Sequence, residues 1–218
     1  MNSKLIILSF FISSLFIQSC IPSLHPLYTE DKLVLIEDLL GIWTADTLTI
    51  EDKKLKVTIK NEDGDYPELW SFEKGSGHTY KLIHVDGKGK AARFETHIVQ
   101  LGNNYFMDFY RTDPGKKDKE QYSFGFDNEH LNGLEALHLL PVHTFAKLEI
   151  TDEHLKISMF NHDFVEKLFK EKRIRLKHEL VDDTIVLTAQ PQELQQFLNK
   201  YADEEEAFLE PTTLKRKM

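Results

Sequence analysis

The chain has 218 residues, a formal net charge of -9, 41% hydrophobic residues and a single cysteine, Cys20. That is enough apolar chain for one large domain or two small ones, and it argues against wholesale disorder. The acidic balance gives no electrostatic basis for binding nucleic acid. A lone cysteine excludes an internal disulfide framework, a cysteine-rich zinc site and a dithiol redox pair.

Residues 1–19 read as a signal peptide. Lys4 forms a short basic start and an apolar run follows from Leu5 to Ile17. At roughly 1.5 Å per residue this run is short for a bilayer core of roughly 30 Å, but it suits a secretory signal. It ends in Ile17-Gln18-Ser19-Cys20, which resembles a bacterial lipobox with its small residue before the cysteine. The resemblance implies cleavage before Cys20, a covalent diacylglycerol on the thiol, and an N-acyl lipid such as palmitate on the new terminus. No other cofactor is expected. Two or more acyl chains hold a protein on a membrane stably, where one is marginal. Ile21-Pro22-Ser23-Leu24 carries neither the Asp beside cysteine associated with inner-membrane retention nor a Ser followed by an acidic run associated with surface export. The expected place is therefore the outer membrane, facing the periplasm.

Residues 20–37 carry two prolines and little periodicity, and read as a lipidated tether that docks through Leu33–Ile36. Residues 38–202 read as one β-rich domain. Short strand patterns separated by turn residues follow one another: a strand opening at Gly41-Ile42-Trp43, Leu55–Ile59, Leu69–Glu73, Thr79–Val85, and a tight hairpin of Arg93–Leu101 with Tyr105–Arg111. Asn61–Asp65 reads as a turn and residues 112–121 as a charged loop. Tyr122, Phe124 and Phe126 alternate after that loop. Leu137–Ile150 is apolar but interrupted by Pro141, which suggests an edge or a kink. Leu155–Phe160 is a further strand.

Two helices have clear local causes. Asn161 can cap a helix near 161–172 whose apolar positions are Phe164, Val165, Leu168 and Phe169, with Phe160 and Val165 placed as a hydrophobic staple. Pro191 can open a second helix near 191–201, with Leu194, Phe197, Leu198 and Tyr201 on one face. Between them, Ile174–Leu180 and Thr184–Thr188 read as a hairpin, and 203–218 as a C-terminal tail. The expected class is predominantly antiparallel β (α+β): a barrel or strongly curved sheet with two added amphipathic helices.

Gly41-Ile42-Trp43 resembles the Gly-x-Trp signature of lipocalin-like barrels, in which the Trp plugs one end. The alternative is an ordinary turn glycine before a core tryptophan. The chain is also similar to a group of uncharacterised bacterial lipoproteins, through residues 23–29 (SLHPLYT), Leu40–Trp43, Leu69–Phe72, residues 140–145 (LPVHTF) and Leu194–Leu198. That similarity implies no particular activity.

Candidate chemistry is sparse. There is no His-Glu-x-x-His pattern, nucleophile elbow, P-loop or dinucleotide fingerprint. The Asp63-Gly64-Asp65 turn lacks the bidentate Glu of a calcium loop. No metal is expected. The hairpin provides one constellation. With Gly102-Asn103 as a type II′ turn, Leu101 pairs with Asn104, which sets His97 opposite Asp108 and Glu95 opposite Tyr110 on one face. His143 could join them. A carboxylate beside an imidazole could serve as a general base, hold a metal or bind a polar ligand. The alternative is a cross-strand pair facing solvent, since Phe94, Ile98, Tyr105, Met107 and Phe109 make the opposite face the apolar one.

Trp43, Trp70 and Tyr110 are candidate ligand contacts in a barrel, although aromatic residues this numerous also build cores. Three readings stay open: a lipid-anchored binding module for a small apolar or amphiphilic ligand or an envelope protein partner; a hydrolase or metal-dependent enzyme using Glu95, His97, Asp108 and His143; and a structural interaction module using the helices or Asp203–Glu206. Cys20→Ser is expected to leave the signal uncleaved and abolish incorporation of radiolabelled palmitate, as read by mass and autoradiography.

Overall fold

The computed structural model describes residues 21–45, 68–111 and 141–217. The signal peptide, Cys20, the Leu55–Ile59 strand, the Asn61–Asp65 turn, the charged loop and the Tyr122–Phe126 alternation lie outside the described residues. Among those described, eleven strands and two α-helices occur. In chain order they are β1 (Leu33–Val34), β2 (Gly41–Thr44), β3 (Leu69–Lys74), β4 (Thr79–Val85), β5 (Ala91–Leu101), β6 (Asn104–Arg111), β7 (His143–Ile150) and β8 (His154–Met159). Then come α1 (His162–Lys170), β9 (His178–Val181), β10 (Thr184–Leu187), α2 (Pro191–Lys200) and β11 (Thr212–Lys217).

Strands β2 to β8 form an antiparallel meander, and β11 pairs with β8 on one side and β2 on the other. Because β5 also pairs with β6, the ring of eight strands closes. The expected fold class, a lipocalin-like antiparallel barrel with two added helices, is the fold observed. Closure removes the sheet edges that would otherwise invite pairing with another chain. Strand β5 outruns its neighbour β4, and β1 covers the remainder of that edge by pairing Leu33 with Val99 and Val34 with Ile98.

Two boundaries are corrected. The residues read as a tail supply β11, the strand that closes the ring. The residues read as a tether are packed on the barrel from Ile21 onward: Ile21, Ser23 and Leu27 are buried. Pro141 lies before β7 rather than within it, so the strand keeps its ladder donors.

The local signals hold elsewhere. Gly102 takes φ +60 in the two-residue turn and Leu101 pairs with Asn104. Asn161 Oδ1 accepts from the Asp163 N–H, and Phe160 and Val165 share one buried cluster. Pro191 opens α2, whose start is closed by the Gln190 N–H donating to Glu193 Oε2. In the hairpin β9–β10, Asp182 and Asp183 both take positive φ, +47 and +64, as a type I′ turn requires.

The barrel separates two apolar cores. The inner one contains Leu39, Trp43, Phe72, Tyr80, Leu82, Ile98, Met107, Leu155 and Leu214. The outer one lies between the β5–β6–β7 wall and a cover made of α1, α2, the β9–β10 hairpin and residues 21–28. Here Val99, Leu101, Phe106 and Phe145 of the wall meet Leu168, Leu187, Leu194 and Leu198 of the cover.

One barrel end is plugged by Trp43. Its indole is fully buried, its Nε1 donates to the Leu39 carbonyl at 2.9 Å, and the Arg216 guanidinium lies 4.4 Å from its ring centroid. Arg216 in turn donates to the carbonyls of Leu40 and Asp38, tying the 3-10 turn Glu37–Leu39 to the last strand. Gly41 sits at φ +117 just before the indole, a conformation that residues with a side chain rarely adopt. Trp43→Ala is expected to cost about 3–5 kcal/mol, measured by urea unfolding, because the cavity would open both the plug and the Arg216 contact.

Candidate functional site

Two polar constellations stand out, one on each side of the barrel wall. The first contains the residues singled out from the hairpin. Strand β5 pairs His97 with Asp108 and Glu95 with Tyr110, as the turn type dictates, and β7 adds His143 opposite Tyr110. These side chains point outward, and the apolar set Phe94, Ile98, Tyr105, Met107 and Phe109 points into the barrel. Most of the outward face does not meet solvent, however; Glu95 stays accessible at its edge. Residues 21–28 lie across it as a strap. Asp108 is fully buried, and His97 and His143 are 5% and 8% exposed.

The strap is held by backbone groups and by Asp108. Ser23 and His143 exchange backbone hydrogen bonds of 2.8 and 2.9 Å. Leu27 donates its N–H to Asp108 Oδ2 at 2.6 Å, and its carbonyl accepts from Gln195 Nε2 of α2 at 2.9 Å. The other Asp108 oxygen contacts His143 Nδ1 at 2.7 Å. Both oxygens of the buried carboxylate are therefore satisfied, which its burial demands. Asp108 takes its imidazole from β7 and not from the His97 that faces it across the ladder.

His97 is instead stacked on Tyr28 of the strap, with ring centroids 3.9 Å apart. Its Nε2 stands 4.0 Å from Glu95 and its Nδ1 is buried without a partner. Burial pushes the His97 pKa below its ordinary value, outweighing the upward pull of Asp108 and Glu95. Burial also raises the Tyr28 hydroxyl, helped by the Asp108 charge. Tyr110 lies against the His143 ring at 4.7 Å. Three of the four proposed catalytic residues, His97, Asp108 and His143, thus form the seat of the strap, and Glu95 stands exposed beside His97. Asp108 is spent on Leu27 and His143, and the cluster opens onto covering chain rather than into a cleft. Among the described residues, no group of three His, Cys, Asp or Glu side chains is placed to hold a metal.

The second constellation lies inside the barrel, at the end away from the Trp43 plug. Strand β2 leaves the ring at this end, β3 enters it, and Glu68 stands just before β3. Glu68 Oε1 accepts from Trp70 Nε1 at 2.9 Å and contacts His84 Nε2 at 3.1 Å. Partial burial alone would raise the Glu68 carboxyl, but these two partners outweigh it and hold the group below the usual carboxylate range. Aromatic rings flank the trio. Trp70 meets His84 at 4.6 Å and Phe109 at 6.0 Å, and Phe109 meets Phe94 edge-on at 6.0 Å. Glu68 and His84 keep 33% and 25% of their side chains accessible.

Of the residues proposed as ligand contacts, Trp70 belongs to this mouth, Trp43 is its cross-strand neighbour with the indole turned back toward Leu39, and Tyr110 is on the outer wall. Glu68 and His84 escaped the sequence reading. His84 is visible in retrospect as the inward continuation of Tyr80 and Leu82, whereas Glu68 precedes its strand and carries no periodic signal. Two clefts of about 540 and 390 Å³ lie outside the barrel. The first is lined mainly by Gln and Asn side chains beside α2, the second by Lys147 and an acidic stretch from Asp203. Neither is the aromatic cavity that a ligand-filled barrel implies.

Comparison of the chain with protein-family profiles, curated proteins and solved structures gives no match in any of the three. The reading of the molecule rests on its own residues.

Because His97 is held neutral in the fold and the unfolded chain binds a proton near the ordinary value of 6.5, acidification favours unfolding. The stability that a neutral His97 maintains is complete above about pH 6.5 and is lost as pH falls through its lowered folded value. His97→Phe, which keeps the ring against Tyr28, is expected to lose less stability than the unmodified protein between pH 7.5 and 5.5, as read by urea midpoints at the two values.

Proposed function

We propose that this chain is a lipid-anchored envelope lipoprotein whose barrel is a non-enzymatic binding module for a small amphiphilic molecule. Support for the anchor comes from the sequence: a short apolar signal ending in a lipobox-like Ser19-Cys20. Among the described residues no helix is long and apolar enough to cross a membrane. The expected location is the outer membrane, facing the periplasm.

The binding reading is carried by one observation, the partly accessible Glu68–His84 pair held by the buried Trp70 and flanked by Phe94 and Phe109, at the end of the barrel where β3 enters the ring. Apolar walls with a few convergent polar groups are the usual make-up of a small-molecule site. The body of the barrel is filled by its own side chains, from Trp43 to Ile98 and Met107. The ligand is therefore held at the mouth, with a short apolar part against the rings and a polar head on the Glu68–His84 pair. A carboxylate in that pair favours a head that donates hydrogen bonds or carries positive charge.

The aromatic mouth supplies its own reporter. Titration with dodecylamine is expected to shift Trp70 emission saturably. Glu68→Ala is expected to weaken the apparent affinity by about tenfold, the loss of one charge-assisted contact. Dodecanol, which lacks the cationic head, should bind the unmodified protein more weakly than dodecylamine. Equal titrations for the two proteins, or no saturable change in either, overturns the reading.

A further inference from the structure

We infer that the strap, β10 and β9 together form the membrane-facing surface of the protein. The inference rests on Cys20 lipidation and adds what that attachment does not specify, namely which side of the barrel lies on the bilayer.

The strap leaves little slack. Ile21 is 3% exposed and packed in the outer core, and Cys20 is only about 3.8 Å further along the chain. Acyl chains on Cys20 would therefore enter the bilayer within a residue or two of the barrel flank. Two elements border that point. The strap runs parallel to β10, with the Leu187 N–H donating to Pro22 and the Leu24 N–H donating to Leu187. Strand β9 lies on the other edge of β10. At about 4.8 Å per strand, all three lie within roughly 10 Å of one another.

The surface chemistry of this ribbon differs from the rest of the molecule. Among the described residues the large hydrophobic side chains that stay exposed are Leu24, Leu180 and Val181, at 43%, 68% and 55%. All three belong to the ribbon: Leu24 and Val181 project from its outer face, opposite the buried Ser23, Ile185 and Leu187, and Leu180 overhangs the core side on the edge strand β9. Exposed apolar residues gathered beside an anchor point mark an interaction surface. Next to them, the segment that joins α1 to β9 carries Lys172, Arg175 and Lys177, all exposed. Among the described residues none of the three has an ion-pair partner, whereas nearby Lys170 and Arg173 pair with Glu166 and Glu171. Lys177 is fixed beside the end of β10, one strand from the strap, because its carbonyl accepts from the Thr188 N–H next to Leu187.

Apolar side chains that enter the interface, with cations at the level of the phosphates, are how peripheral surfaces add to a lipid anchor. Glu179, Asp182 and Asp183 share the hairpin. They would keep its turn at the headgroup level and prevent deeper insertion.

Lipidation occupies Cys20, which is the chain's one cysteine, so an introduced cysteine can be labelled selectively. Leu24→Cys, Val181→Cys and, on the far wall in β3, Glu73→Cys are each expressed as the full chain and purified with their lipid. Each is labelled with an environment-sensitive dye and reconstituted in vesicles of phosphatidylethanolamine and phosphatidylglycerol (3:1), with and without doxyl-labelled lipid. Interfacial apolar groups sit roughly 5–10 Å into the headgroup boundary, so labels at 24 and 181 should lose more than about half their emission to the doxyl lipid and the label at 73 little. Flotation of the protein with the vesicles, with all three labels quenched alike, overturns the inference and leaves the anchor standing. Protein that stays at the bottom of the gradient and lacks acyl mass on Cys20 removes the anchor, and the inference with it.

Discussion

The buried carboxylate of Asp108 decides how the two halves of this molecule meet. A charge with no exposure to water needs every lone pair directed at a donor, because leaving it unpaired costs several kcal/mol. Here one oxygen takes the Leu27 N–H from the first segment of the chain and the other takes His143 from the middle of it. The strap, the barrel wall and α2, through Gln195 on the Leu27 carbonyl, converge on this point. The outer core stays closed at this edge because the Asp108 carboxylate is satisfied from within.

This arrangement explains why residues that resemble a catalytic cluster are not aligned as one. A dyad for general-base chemistry needs an imidazole oriented by a carboxylate and an open face toward substrate. His143 has the carboxylate, but its surroundings are Tyr110, the strap and the wall. His97 has no oriented partner and is stacked on Tyr28. The polar groups with both orientation and access are Glu68 and His84, on the opposite side of the sheet, where Trp70, Phe94 and Phe109 flank them.

Much of the fold was legible because short-range chemistry left little freedom. Gly102 first in a two-residue turn sets the hairpin register, and that register alone brings His97 and Glu95 opposite Asp108 and Tyr110. Asn161 and Pro191 announce the helix starts for reasons of backbone donors. The failures have a common physical cause, which is that a distant partner supplied what the local pattern lacked. Strand β11 reads as a charged tail because only Leu214 of its inward positions is plainly apolar. Arg216 also points inward, where the Trp43 ring and two carbonyls receive its charge. The strap reads as a tether because its prolines and its lack of period are real. It is ordered by pairing to β7 and β10 rather than by its own sequence. The outward face of the hairpin reads as solvated because the cover that dries it lies far away in sequence.

Barrel closure carries a further consequence, for the order of events during biogenesis. The ladder that seals the ring joins β2 to β11, and the Arg216 guanidinium reaches Leu40 across 176 residues of chain. Contacts of such sequence separation are slow to form and come late in folding. The plug over Trp43 in particular needs Arg216 of β11. A polypeptide emerging from its N-terminus can complete the meander early, but its ring stays unsealed until β11 is available. On the proposed reading that Cys20 is lipidated and the chain exported, the anchor would by then already tether that half-built barrel. The final strand would thus close the fold on a membrane surface rather than in free solution.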